Sequence, residues 1–407
     1  MQISIVIPTY WGWETGKSRQ PGDSIYDHPT PIDTTGTLGR CLESLKNITG
    51  YSFNVLIITS AINPALEQAA EAKVENIIAP FRKIFPIAQF GPSDLTLLRN
   101  RLAHLGFDPE MVGLSNYANV RNCQLIGPHL LGSDVIVAID DDEVITDADY
   151  LRKATEYLGQ ECNGVRVDGV AGIYVDRHGN SRLLERSDAR TSTNLFRRKD
   201  AIMNDALAHF EGLSGRLVET SISLGGNMIF SRPLFETVSF DPWITRGEDI
   251  DYLINSRLHG RHWFLHKELF IVHLPPGAPT QGSHSPPSYS KLQQDVIRFI
   301  YERAKLTEAA NWPDIIPLKV EELDPYPGAF LREGLEAHAL EALIELRPAD
   351  TDPHLFPPPE DIVADAVCYA RESAPRYFAF AREWPRLMAA LADDRILQDH
   401  FRRKLGC

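Results

Sequence analysis

The sequence predicts an α/β protein with a mostly parallel, Rossmann-like central sheet followed by a helical appendage. Three observations predict it. In the first two thirds, short runs rich in Val and Ile alternate with amphipathic stretches, as the strands and crossover helices of a parallel sheet do. These apolar runs end in polar residues that would gather along one edge of the sheet. From residue 289 onward the β-branched runs give way to helical periodicity broken by Pro-rich segments.

Residues 3–7 (Ile-Ser-Ile-Val-Ile) are the first expected strand, 54–59 the second and 134–139 the third. The stretches 37–45 and 64–73 suit crossover helices, and 119–131 leads into the third strand. Ligands of such sheets bind beyond the carboxyl ends of the strands, so Pro8, Thr9, Tyr10, Thr59, Ser60, Asp140, Asp141 and Asp142 should surround one cleft. Residues 11–36, polar and punctuated by Gly and Pro, exceed the roughly 2 to 6 residues usual for such a connection. They are expected to cover part of the cleft. A second segment, 275–290, is crowded with Pro, Gly and Ser and suits a lid or linker. Helices are expected over 289–306, 328–346, 359–371, 377–391 and 394–405, which divides the chain into a sheet domain (1–275), a linker (276–290) and a helical region (291–407).

Composition narrows the function. At 407 residues and 43% hydrophobic content the chain can bury a full core and more than one structural unit. A net charge of -14 argues against a surface built to coat nucleic acid, which needs clustered Lys and Arg. The five cysteines are scattered and form no Cys-x-x-Cys pair, as expected of reduced thiols in a cytoplasmic protein. Residues 1–8 lack the basic flank and long apolar stretch of a signal peptide and read as a buried strand. With no run long enough to span a bilayer, membrane contact would be peripheral.

The sharpest motif is Val135-Ile136-Val137-Ala138-Ile139-Asp140-Asp141-Asp142-Glu143, a buried strand that ends in four acids. Such crowding raises carboxylate pKa values unless a cation is present, and hard oxygen donors favour Mg²⁺ or Mn²⁺. A solvated acidic turn is the structural alternative. A second cluster, Gly247-Glu248-Asp249-Ile250-Asp251, opens an amphipathic helix. The helix dipole alone could explain acids there, yet a carboxylate so placed can also take a proton from an attacking hydroxyl. Gly225-Gly226-Asn227 precedes a strand and permits close backbone approach to a ligand, although paired glycines often mark only a turn. His273 ends the apolar run 269–272 and is a candidate metal ligand, against the commoner structural role of a lone histidine.

Taken in order, these pieces resemble the family 2 glycosyltransferases and their GT-A fold relatives. Ile7-Pro8-Thr9-Tyr10 is similar to the family's nucleotide-contacting start, residues 38–45 (Leu-Gly-Arg-Cys-Leu-Glu-Ser-Leu) to its first helix, and Asn119-Val120-Arg121-Asn122 to its Ala-Arg-Asn segment. The resemblance covers residues 1–275. It implies a D-x-D motif at Asp140 and Asp142, with Mn²⁺ or Mg²⁺ held foremost by Asp142, joined by His273 and Asp140. It also implies nucleotide contacts from Pro8, Thr9, Tyr10, Thr59, Arg121, Asn122, Asp140 and Asp141, and places Gly225, Gly226 and Asn227 against the donor sugar or acceptor. Gly247-Glu248-Asp249 resembles the family's Glu-Asp motif, which makes Asp249 the base of an inverting transfer and Glu248 its helper. The substrates implied are a UDP- or GDP-linked sugar and a carbohydrate or other hydroxyl acceptor.

Two features depart from the pattern. Relatives carry an acid after the second strand, where this chain has Ile58-Thr59-Ser60-Ala61, and the insertion at 11–36 is unusually long. The same residues suit other readings. Asp140-x-Asp142 after a strand also suits a haloacid dehalogenase-like phosphatase, but that group places its nucleophile on the first strand. A sugar nucleotidyltransferase would need a Gly-rich, Arg-containing loop after strand one, which Pro8-Thr9-Tyr10-Trp11 does not supply. A non-catalytic sugar-nucleotide-binding or scaffold protein on the same fold would have little reason to keep both acidic clusters and His273.

Overall fold

The structure, a computed structural model, describes residues 1–276, 289–348 and 357–406. Seven main strands make the sheet: β1 (Ile3–Gly12), β2 (Phe53–Ala61), β3 (Ile87–Phe90), β4 (Val135–Ala138), β5 (Gly169–Val175), β6 (Met228–Ser231) and β7 (Trp263–His273). Their order is β3-β2-β1-β4-β6-β5-β7, and short strands at Thr30–Pro31, Glu143–Val144 and Leu217–Glu219 extend it. The strands from β3 to β4 run parallel, β6 is antiparallel to both β4 and β5, and β5 pairs parallel with β7. The mostly parallel α/β class expected from the sequence is the one observed.

The helices are α1 (Leu38–Ser44), α2 (Glu67–Ile78), α3 (Pro92–His104), α4 (Tyr117–Leu130), α5 (Tyr150–Thr155), α6 (Lys199–Gly212), α7 (Arg232–Thr237), α8 (Glu248–Leu258), α9 (Tyr289–Ala309), α10 (Leu335–Leu346), α11 (Pro359–Ala392) and α12 (Arg395–Leu405). Alternation along the strands sorts the core into two layers. Ile3, Ile5 and Ile7 pack with Val55, Ile57, Val135 and Val137 on the face covered by α1, α2 and α5. Val6, Leu56, Ile58, Ile136 and Phe230 face the other way, into a core that also holds Phe299, Trp384 and Phe401 of the C-terminal helices. With both faces covered, a strand gains from being apolar at every position, which is why β4 reads as an unbroken run and β1, over residues 3–7, is broken only by Ser4, whose buried hydroxyl bonds to Asn54 and lies against Ser133 Oγ.

Parts of the outcome differ from expectation: the helix expected over 328–346 begins at Leu335, and Pro92–His104, Gly169–Val175 and Lys199–Gly212 form elements that were not anticipated. The helices expected over 359–371 and 377–391 are one, α11, which runs through Pro375 and Pro385. A proline inside a helix costs about 3 kcal/mol, but burial of Tyr377, Phe378, Trp384 and Leu387 beside these breaks outweighs it. The short β3 was missed because Ile-Ala-Gln-Phe is too brief to show a period. Of the expected lid at 275–290, residues 277–288 lie outside the described residues. Among the described residues no helix is long and apolar enough to cross a membrane.

Candidate active site

After β1 the chain adds β2 and β3 on one side and returns to place β4 on the other, so the order reverses between β1 and β4. Beyond the carboxyl ends of these two strands lies a cleft of about 290 Å³, lined in part by Pro8, Tyr10, Arg121, Asp140, Asp141, Asp142, Gly225, Glu248, Asp249 and His273. β1 continues past the end of β4, so its last residues flank the acidic loop.

The acids of that loop are held apart by different partners. Thr9 Oγ1 and Thr37 Oγ1 donate to the two oxygens of Asp141 at 2.5 and 3.2 Å. Burial pushes this carboxyl up to about 7, with the charges of Asp142 and Asp140 adding to the effect. Asp140 Oδ1 lies 2.9 Å from Arg121 Nη2. Asp142 Oδ2 lies 3.3 Å from His273 Nε2, and the Leu274 N–H donates to the Asp142 carbonyl at 2.9 Å. Burial would lower the pKa of His273, but its bond to Asp142 and the charges of Asp142 and Asp140 raise it overall. Glu143, fully buried, turns back to accept from the Asp140 N–H at 2.8 Å.

Asp142 and His273 are the pair that could hold a metal. The carboxylate suits Mg²⁺ or Mn²⁺, and the imidazole nitrogen favours a transition metal such as Mn²⁺ over Mg²⁺, whose preferred donors are oxygens. Among the described residues no three His, Cys, Asp or Glu side chains stand close enough to bind a metal by themselves. The protein donors present therefore fit a cation whose coordination is completed by substrate oxygens and water.

Arg121 joins this loop to the second acidic cluster. It projects from the first turns of α4, whose start is capped by the Asn116 side chain accepting from the Asn119 N–H at 2.9 Å. Besides Asp140 it reaches Glu248 Oε1, 3.3 Å from its Nε. Burial opposes its charge, but Asp140 and Glu248 more than restore it. Glu248 is itself buried, and burial pushes its carboxyl up to about 7. Asp249 is half-buried at the same helix start, with Oδ1 accepting from the Ile250 N–H at 2.8 Å.

The structure brings Pro8, Tyr10, Arg121, the three aspartates, Gly225, both α8 acids and His273 to one cleft, and gives five other expected residues partners within the fold. The Thr9 hydroxyl is spent on Asp141. Thr59, fully buried, donates to Gln89 Oε1 at 3.0 Å instead of facing a nucleotide. Asn122 exchanges hydrogen bonds with the backbone of Phe240 at 3.0 and 2.9 Å. Asn227 accepts from Tyr150 OH at 2.8 Å and braces β5 and β7 through Ile173 O and Leu269 O. Gly226 acts by proximity, because a Cβ there would stand 2.3 Å from the Glu143 carboxylate. Its N–H donates to Tyr174 OH.

Several cleft residues were not anticipated. The 11–36 insertion brings in Asp27 and His28, and Asp27 clamps Arg246 through bonds of 2.8 and 3.0 Å. The Tyr26 ring of the insertion is tilted against that of Tyr10, ring centroids 4.2 Å apart, and Tyr117 meets both edge-on. Lys199, Arg298 and Tyr326 line the cleft from α6, α9 and the connection after α9. The length of the insertion was the one sequence signal for any of these.

No protein-family model matches the chain, and no curated protein matches it. Among solved structures it is similar to the mannosyltransferase PcManGT from Pyrobaculum calidifontis in complex with GDP-Man and Mn²⁺. That match has 14% identity and a TM-score of 0.44, covering 98% of this chain and 86% of that one. It is also similar to GalNAc-T7 with UDP, GalNAc and Mn²⁺ (12% identity, TM-score 0.40, covering 88% and 58%). A third similar structure is glucosyl-3-phosphoglycerate synthase from Mycobacterium tuberculosis in complex with Mn²⁺ and UDP-glucose (14% identity, TM-score 0.34, covering 77% and 80%). Likeness this distant does not transfer chemistry, which has to come from the site's own residues.

Proposed function

We propose that the chain is a metal-dependent glycosyltransferase that moves a sugar from a UDP- or GDP-linked donor to an acceptor hydroxyl. The observation that carries this reading is the convergence of two acidic clusters on one cleft at the strand-order reversal, joined by Arg121. One cluster includes a carboxylate–imidazole pair, Asp142 and His273, 3.3 Å apart. The donor sugar lies between the clusters, with its diphosphate toward Asp142 and His273. Asp249 takes the proton of the acceptor hydroxyl as its oxygen bonds to the anomeric carbon and the bond from that carbon to the diphosphate oxygen breaks, inverting the configuration. Glu248, held by Arg121, orients the acceptor. When bound, a divalent cation held by Asp142 and His273, with Asp140 close by, supplies Lewis-acid neutralisation of the leaving diphosphate.

A phosphatase that uses Asp140 as nucleophile is disfavoured, because that carboxylate is engaged by a buried guanidinium. Calorimetric titration with UDP and GDP, each with and without Mn²⁺, tests the reading. Metal-dependent binding of one nucleotide is expected, and binding of neither would refute it.

A further inference from the structure

The cleft has a cationic wall for which the transfer chemistry above provides no task. It is built by Lys199 at the start of α6, Arg246 just before α8, and Arg298 on α9. Lys199 pairs with Asp295 at 2.7 Å, and Arg246 is occupied by Asp27. Arg298 donates from Nε to Glu302 at 2.9 Å and from Nη1 to Tyr326 OH at 3.3 Å. Its Nη2 is buried and has no hydrogen-bond partner among the described residues. A side chain only 3% exposed that keeps a guanidinium donor unmatched is uncommon in native proteins and calls for a partner.

The chain is also shaped around this group. Gly247 adopts φ +67°, and a Cβ there would stand 1.9 Å from Arg298 Nη1, so both the backbone angle and the available space require glycine. The guanidinium thus packs directly on the residue that precedes Glu248 and Asp249. Arg121 already spans Asp140 and Glu248, whereas Arg298 packs on Gly247, Glu302 and Tyr326. A group bound at Nη2 would therefore lie next to the segment that carries the proposed base.

We propose that Arg298 binds an anionic group of the acceptor, a carboxylate or a phosphate, so that the acceptor is a hydroxyl compound with negative charge close to its attacking oxygen. A planar guanidinium matches either oxyanion. The proposal rests on the transferase reading.

The test is calorimetry on the full chain saturated with Mn²⁺ and whichever of UDP or GDP binds, with glucose, glucuronate, glucose 6-phosphate and inorganic phosphate as probes. At least one sugar anion should bind tenfold or more tightly than glucose, and comparison of the two distinguishes a carboxylate from a phosphate. Inorganic phosphate should compete with that anion. Arg298→Gln should remove the preference by tenfold or more while nucleotide affinity stays within twofold. Glu302→Gln, which removes the negative charge beside Arg298 while leaving an amide oxygen to accept from Nε, should tighten anion binding and guards against a merely unfolded Arg298 variant. The proposal is overturned if none of the anions binds better than glucose, or if either variant leaves the preference unchanged. An equal loss of nucleotide affinity in Arg298→Gln would also overturn it, by assigning Arg298 to the donor. If neither nucleotide binds the unaltered protein, the transferase reading fails first and the acceptor assignment falls with it.

Discussion

The two acidic clusters of the cleft are similar in charge but are held in place in different ways. The cluster after β4 is fixed by the sheet and its first helix: Thr9 of neighbouring β1 and Thr37 before α1 grip Asp141, and the end of β7 brings His273 to Asp142. The cluster that opens α8 is fixed largely from the C-terminal helices. Lys305 of α9 is fully buried, with its Nζ 2.9 Å from Asp241 Oδ2, 2.9 Å from Asn255 Oδ1 and bonded to Asp251. Asp251 and Asn255 belong to α8. Tyr301 OH adds a bond to Asp241 at 2.6 Å. The helical appendage is thus part of what positions the proposed base, while the proposed metal pair is set by the sheet and α1, whose Arg40 donates to Leu274 O beside His273.

The largest effect should come from breaking that difference at Lys305. Its partners Asp241 and Asp251 keep the amine charged despite burial. Lys305→Met leaves two buried carboxylates without a cation, which costs on the order of 3–5 kcal/mol. A urea or thermal midpoint should fall accordingly, and an unchanged midpoint would mean that α8 is held by its apolar contacts instead. Next, Asp142→Ala should lower turnover by about 10²–10³-fold and abolish metal-dependent nucleotide binding, measured by calorimetry. Retained metal dependence would show that His273 and Asp140 suffice. Smaller again, Asp249→Asn should slow transfer by about 10²-fold with nucleotide affinity intact. If that variant instead lost affinity, Asp249 would belong to donor binding and the contrast between the clusters would collapse.

The same contrast explains what the sequence revealed. Asp140, Asp141 and Asp142 announce themselves because a buried strand ends in them, and Glu248 and Asp249 because they open an amphipathic helix; both signals are local. Thr9, Thr59, Asn122 and Asn227 have residue types equally suited to ligands and to bracing the fold, and only the positions of Asp141, Gln89, Phe240 and Tyr150 decide between these roles. Asp27 and Arg246 meet across 219 positions, and Arg298 reaches the cleft from a helix with no recognised motif. Contacts of that range leave no periodic trace.

The mildest expected effect concerns how α8 begins. Burial, aided by the charge of Asp249, pushes the Glu248 carboxyl up to about 7 from 4.5 against the pull of Arg121. The folded chain therefore favours the neutral acid. The stability this contributes is full below pH 4.5 and is lost as pH rises through 7, because the folded state must then bury a charge that the unfolded chain exposes to water. Glu248→Gln keeps the neutral shape at every pH. Between pH 5 and pH 8 the melting temperature of the unaltered protein should fall by about 2–4 °C relative to that variant. A constant difference would mean that Glu248 does not titrate in this range. A change of opposite sign would show that Arg121 outweighs burial at Glu248.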